Sequence, residues 1–207
     1  MAYTNEKRIE NYLMANIDPS FVIAAGENQI TEWIDVAELY INRYTGRKDG
    51  FEEDEVASVR YYDGNGKTEI EIDDCTTITS VEILEASGTD IAYTLTEGLD
   101  NDYIVHPYNE LPTYRLVIIP NAQVGVWPSG KMRIKITAKW GYATDVPEDI
   151  RLAATMLVAG VIEKGLRGGK IRSETLGDYS VTYADMEESA QYMDVRGILD
   201  NYKIFKI

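Results

Sequence analysis

KWGYATDVPEDIRLAATMLVAGVIEKG, residues 139–165, changes its pattern in the middle. Before Gly141 the chain alternates polar and apolar residues, the period of a half-buried strand. After Pro147 it reads as a long apolar helix. Val146-Pro147-Glu148-Asp149 is a helix start, because proline fits the first turn and the acids complement the helix dipole. From Leu152 to Ile162 the helix carries no charge, so more than one of its faces must be covered. That describes a central helix, or one that also meets another subunit. A β-rich region ending against such a helix this late in the chain implies a β module inserted into a small helical protein.

Upstream of the junction, residues 51–142 break into short runs rich in β-branched and aromatic residues. SVRYYDGNGKTEIEID reads as a hairpin around Asp63-Gly64-Asn65-Gly66. TSVEILEA, IAYTLTE, DYIVHP, YRLVII and MRIKITAKW follow, each bounded by turn residues. About seven strands at short intervals predict a small antiparallel sandwich or barrel. Residues 1–49 are helical in pattern. A short helix is expected over Glu6–Asn16, broken by Asp18-Pro19-Ser20. In NQITEWIDVAELYINRYTG, Ile30, Trp33, Ile34, Ala37, Tyr40, Ile41 and Tyr44 form one stripe, with Asn28 as N-cap and Gly46 as the left-handed stop.

Downstream, Gly165 is expected to end the long helix, and LRGGKIRSE to form a flexible basic loop. GDYSVTY reads as a short strand, and MEESAQYMDVRGILDNY as a last amphipathic helix weakened by Gly197. The fold class is therefore α+β. A discontinuous helical bundle, residues 1–50 plus 143–207, carries an inserted antiparallel β-sandwich or barrel-like domain, residues 51–142.

The formal net charge of -15 opposes free nucleic-acid binding, which needs clustered Lys and Arg, and opposes an anionic membrane surface. A single cysteine, Cys75, permits no intrachain disulfide and fits a reducing compartment. The N-terminus lacks a signal-peptide core, and Leu152–Ile162 is far short of the ~20 residues that span a bilayer. The chain reads as a soluble cytoplasmic product.

Enzyme signatures fail one by one. His106 is the only histidine, and no nucleophile-elbow pattern accompanies it, so a structural role is expected. DGNGKTEIEIDD mimics a calcium loop, but Lys67 and Thr68 occupy positions that need an oxygen ligand and a glycine. GLRGGK lacks the first glycine and the final Ser/Thr of a phosphate loop, and it follows a helix. It reads better as a basic contact element for an acidic partner or a passing phosphate backbone. Glu52-Glu53-Asp54-Glu55 reads as a solvated linker. No paired-carboxylate pattern of a hydrolase is present. No catalytic residue, cofactor or metal is expected. Tyrosine, 15 of 207 residues, suits an interface role.

Several stretches resemble the head-tail connector (adaptor, or head completion) proteins of long-tailed bacteriophages. ITEWIDVAELYINRYTGR looks like that family's early helix ending in Tyr-Thr-Gly-Arg. SVRYYDGNG, TSVEIL, DYIVHPYN and KITAKWGYATDVPEDIRLAATML follow the pattern of members with an inserted β region. SETLGDYSVTY resembles the Gly-Asp-Tyr-Ser strand after the long helix. The ordered set covers most of the chain.

The resemblance implies a non-enzymatic virion protein, made in the host cytoplasm, that forms a homo-oligomeric ring of about twelve copies beneath the portal. Such a ring extends the DNA channel, with no sequence-specific DNA binding and no membrane contact, and offers a docking surface to a stopper or tail-completion protein. By analogy, Tyr202, Ile204, Phe205 and Ile207 of the apolar tail would dock on the portal protein. Arg167, Gly168, Gly169, Lys170, Arg172, Gly177, Asp178 and Tyr179 would make ring or tail contacts. The alternative is a ligand- or carbohydrate-binding module, which predicts an exposed aromatic platform built from residues such as Tyr61, Tyr62, Tyr108 and Trp127.

Overall fold

The computed structural model describes residues 2–16, 27–86, 88, 90–166 and 190–204. The chain divides into two compact units, residues 1–48 with 146–207, and residues 49–145. The first is helical and the second is an antiparallel sheet, so the class is α+β.

The helical unit contains α1 (Glu6–Asn16), α2 (Glu27–Thr45), α3 (Glu148–Leu166) and α4 (Ala190–Asp200). Asn5 caps α1: its side-chain oxygen accepts from the Arg8 amide at 3.0 Å, and its carbonyl from the Ile9 amide at 3.1 Å. α2 starts at Glu27, so Asn28 lies in its first turn and is not the expected cap. It stops where predicted, at Gly46, whose φ of 77° is the left-handed conformation glycine tolerates best.

α3, uncharged from Leu152 to Ile162, is a central helix, packed against each of the other three. Ile150, Ala153, Ala154, Leu157, Val158 and Ala159 are buried on it, against Ile9 and Leu13 of α1, the Ile30-Ile34-Ala37-Ile41 stripe of α2, and Val195 and Leu199 of α4. Each fully buried Ile or Leu contributes about 1.5–3 kcal/mol, and such residues come from all four helices. A buried polar contact within the unit joins the hydroxyls of Thr4 and Thr155, 2.7 Å apart, and the buried Thr45 hydroxyl donates to the Ile41 carbonyl at 2.9 Å. The strand expected at 177–183 and the loop expected at 166–174 lie almost wholly outside the described residues; only Leu166, the last residue of α3, is described.

The β unit contains β1 (Ser58–Gly64), β2 (Glu69–Leu84), β3 (Ile91–Leu95), β4 (Tyr103–His106), β5 (Thr113–Ile118) and β6 (Gly130–Trp140). They form one antiparallel sheet, ordered β1-β6-β2-β5-β4, with β3 also on β2. The sheet neither divides into the expected sandwich nor closes into the expected barrel, since β1 and β4 remain its two ends.

Six strands replace the seven expected because TEIEID and TSVEIL are halves of the single 16-residue β2. Two register shifts against β6, at Cys75/Thr77 and Ile78/Ser80, interrupt the alternation that a sequence reader follows. Their effect is to keep the inward residues aligned: Cys75 with Trp140, Ile78 with Ala138, Val81 with Ile136, and Ile83 with Ile134. With Ile70, Ile72, Leu95, Tyr103, Leu116, Ile118 and Trp127, these residues form the core.

The hairpin expected at Asp63–Gly66 is not formed, because β6 lies between β1 and β2. The turn itself is real. Asn65 accepts from the Lys67 amide at 2.9 Å and donates to the Glu69 carbonyl at 2.8 Å. Its backbone is satisfied by a distant segment: Gly66 N–H donates to the Trp127 carbonyl and Trp127 N–H to the Lys67 carbonyl.

Candidate interaction surfaces

No group of three or more His, Cys, Asp or Glu side chains converges as a metal site among the described residues. None of the described helices is long and apolar enough to cross a membrane. His106 sits edge-on between the rings of Tyr108 and Tyr114, with centroids 6.1 and 5.7 Å away. The features that can meet partners are the start of the C-terminal tail, the base of the β unit and the exposed surface of the sheet.

The tail begins after α4 and returns to the end of α2. Ile204 N–H donates to the Thr45 carbonyl at 2.9 Å, satisfying one of the acceptors that a helix end leaves open. Arg47 Nε donates to the Tyr202 carbonyl at 3.0 Å, and the Tyr202 hydroxyl to Asp149 at 3.3 Å. Lys203 Nζ lies 4.0 Å from the centroid of the Tyr44 ring and 2.9 Å from Asp200. The Tyr44 hydroxyl and then Lys203 hold the Asp200 carboxyl below its ordinary pKa. Of the tail residues singled out from the sequence, Ile204 is thus held at the end of α2 and Tyr202 by Arg47 and by Asp149 of α3, with Ile204 38% exposed. Phe205 and Ile207 lie outside the described residues, as do Arg167, Gly168, Gly169, Lys170, Arg172, Gly177, Asp178 and Tyr179.

At the base of the β unit its two ends are clasped. Glu53 N–H donates to the Ala143 carbonyl at 2.8 Å, Asp54 N–H to the Trp140 carbonyl at 2.7 Å, and Ala143 N–H to the Phe51 carbonyl at 3.3 Å. Phe51 is fully buried, its ring centroid 5.4 Å from that of Tyr142. Glu53 is therefore not in a solvated linker. Its carboxylate accepts from Thr76 and from Lys139, and those two partners, Thr76 first, lower its pKa.

Arg60 extends the clasp. Its guanidinium lies 4.4 Å from the centroid of the Trp140 ring, forks onto both oxygens of Asp49 at 2.8 Å, and reaches Asp73 at 2.8 Å. Burial alone would lower the Arg60 pKa, but the two carboxylates outweigh it and raise it. The Tyr62 hydroxyl donates to the same Asp73 at 3.0 Å. Sequence reading missed this assembly, because Phe51, Asp49 and Gly141 carry no local pattern that links them.

The aromatic platform required by the binding-module alternative is not assembled. Trp127 is fully buried and its indole N–H donates to the Thr68 carbonyl at 3.1 Å. Tyr62 is half-buried against Trp140, leaving Tyr61 and Tyr108 exposed.

No protein-family model matches the sequence, and no curated protein sequence does. Solved structures do. A chain in the neck of an empty GTA particle, computed with C6 symmetry, aligns over 96% of this chain and 90% of its own, at 11% identity and a TM-score of 0.55. A chain in the virion of a native gene transfer agent (GTA) particle aligns over 89% of this chain and 81% of its own, at 15% identity and a TM-score of 0.45. At such identities the likeness to the neck chain is one of fold, and it spans both units.

Proposed function

We propose that this chain is a structural protein of a phage-like neck: an adaptor whose copies form a ring beneath the portal of a DNA-filled particle. The observation that carries this reading is the fold shared, across nearly the whole chain, with a chain of a particle neck. The ordered adaptor-like stretches of the sequence point the same way independently. In this reading the helical unit is the connector domain and the β unit an insertion into it. About twelve copies surround the DNA channel, and the exposed rim receives a stopper or tail-completion protein.

The charge suits the role. An acidic wall repels the phosphate backbone and lets DNA slide, whereas a basic one would trap it by counterion release. The chain carries -15. Assembly takes place in the host cytoplasm and the product resides at the head-tail interface of the virion. The tail residues Tyr202, Ile204, Phe205 and Ile207 dock on the portal, and the basic segment from Arg167 to Arg172, with Gly177 to Tyr179, contacts neighbouring copies or the tail.

Negative-stain imaging of the chain, alone and mixed with the portal protein encoded beside it, tests the proposal. A ring stacked on the portal supports it and counts the copies. A chain that stays monomeric and ignores the portal overturns it. Truncation after Ile204 tests the tail separately, because it keeps the Ile204–Thr45 and Arg47–Tyr202 bonds. Unchanged portal binding would reject docking through Phe205 and Ile207.

A further inference from the structure

β2 has a gap in its pairing. At Cys75 it meets Trp140 of β6 on one edge and Thr113 of β5 on the other. At Val81 it meets Ile136 of β6 on one edge and Leu95 of β3 on the other. β5 and β3 therefore share the edge opposite β6, in tandem. Between them, from Thr76 to Ser80, that edge has no strand partner among the described residues. Five strand residues span about 16 Å at the usual rise.

A groove of about 420 Å3 opens over this gap. Thr76, Thr77 and Ile78 line it from β2, and Val105, Pro107, Tyr108 and Leu111 supply the apolar wall. Its charged lining residues are Glu97 and Glu110, both exposed, with no basic residue beside them. No lysine or proline blocks Thr76–Ser80, the usual protection of a free edge.

We propose that this groove accepts a short extended segment of a partner protein, apolar residues flanked by Lys or Arg, which pairs with Thr76–Ser80 as an added strand. Backbone pairing supplies the register, the apolar wall takes alternate side chains, and Glu97 and Glu110 select for positive charge. The inference concerns the β unit alone and does not depend on the ring reading.

The probe is the peptide acetyl-Lys-Val-Lys-Ile-Lys-amide, added to the full chain. Its controls are a version with N-methylated central amides and one with Glu in place of each Lys. An acidic protein attracts any cationic peptide, so the readout is location, by hydrogen exchange resolved to single amides. The expected result is exchange slowed about tenfold or more within Thr76–Ser80 by the cationic peptide, and by neither control. The double variant E97K/E110K, altered only at exposed positions, should bind the cationic peptide about tenfold more weakly and gain binding of the acidic one. Equal binding of the N-methylated peptide, or unprotected Thr76–Ser80 amides at millimolar cationic peptide, would overturn the proposal. The latter result would mean that the two irregularities in β2 bar a further strand.

Discussion

Gly141 lies so close to Glu52 that a Cβ on it would sit 2.4 Å from the Glu52 carbonyl oxygen and 2.6 Å from the Glu53 Cα. Its φ is 137°, outside the range of ordinary L-residues. This contact lets the outgoing chain cross the incoming one and complete the clasp. Gly141→Ala should therefore destabilise the β unit by about 2–4 kcal/mol, through backbone displacement and strain together. Urea unfolding of an isolated fragment covering residues 49–145 measures it. The same experiment asks whether that fragment unfolds cooperatively by itself, as its closed ends imply. A wild-type fragment with no cooperative transition would refute the clasp as the basis of an independent unit.

Arg60 joins Asp49, Asp73 and the face of Trp140 in one contact set. Its side chain is 23% exposed, so the ion pairs are only partly screened. Arg60→Ala should cost about 2 kcal/mol, since it removes the cation that Asp49 and Asp73 share and the stacking on Trp140. Arg60→Lys should recover less than half of that, because an ammonium cannot fork onto Asp49 while stacking on the ring. A double-mutant cycle with Asp49→Ala separates the pair from the stacking; zero coupling energy would show that the fork contributes nothing.

Asp102 is 5% exposed and accepts from the Gln123 and Thr96 amides, each at 2.8 Å, and from the Gln123 side chain at 3.2 Å. Burial alone would raise its pKa, but these donors outweigh it and lower it. A lowered folded value stabilises the fold above the unfolded value of about 3.9, and that contribution is lost as pH falls through the folded one. Asp102→Asn should cost about 1–3 kcal/mol at neutral pH, and the gap from wild type should shrink on acidification below about pH 4. A gap that stays constant between neutral and acidic pH would show that the charge is not what matters.

Cys75 is fully buried, its sulfur 3.6 Å from the Thr113 carbonyl, and burial pushes its thiol pKa up to about 12. A protonated, enclosed thiol does not react as a nucleophile. Alkylation by iodoacetamide should be undetectable in buffer and should appear with denaturant in step with unfolding of the sheet. Rapid labelling of the native chain would contradict the placement of Cys75 at the centre of β2.

The helices were readable because their signals are local. The Ile30-Ile34-Ala37-Ile41 stripe, the stop at Gly46 and the Pro147 start each lie within a few turns of the residues they govern. The exception is instructive: Asn28 has the chemistry of a cap, yet the helix continues past it to Glu27. The tail contacts at Thr45 and Arg47 join residues more than 150 positions apart, and no sequence pattern announces them.

In the sheet, residue type and alternation determined which segments are extended and which side of β6 is buried, with Ile134, Ile136, Ala138 and Trp140 all facing in. Strand order was decided in three dimensions. A Gly-Asn-Gly turn forces the chain to reverse, but it does not choose the strand that lies alongside, and β6 takes the place a hairpin would give to β2. Likewise the sequence marks Trp127 as a large aromatic, while its burial in the sheet core and its bonds to Gly66, Lys67 and Thr68 are set by the tertiary structure. By itself the sequence determined helix against strand, the change of pattern at Gly141 and the acidic surface, all properties of neighbouring residues. The clasp at Glu52, the two shifts in β2 and the open edge at Thr76–Ser80 were decided only by the tertiary structure, because each arises from pairing between segments that the chain holds far apart.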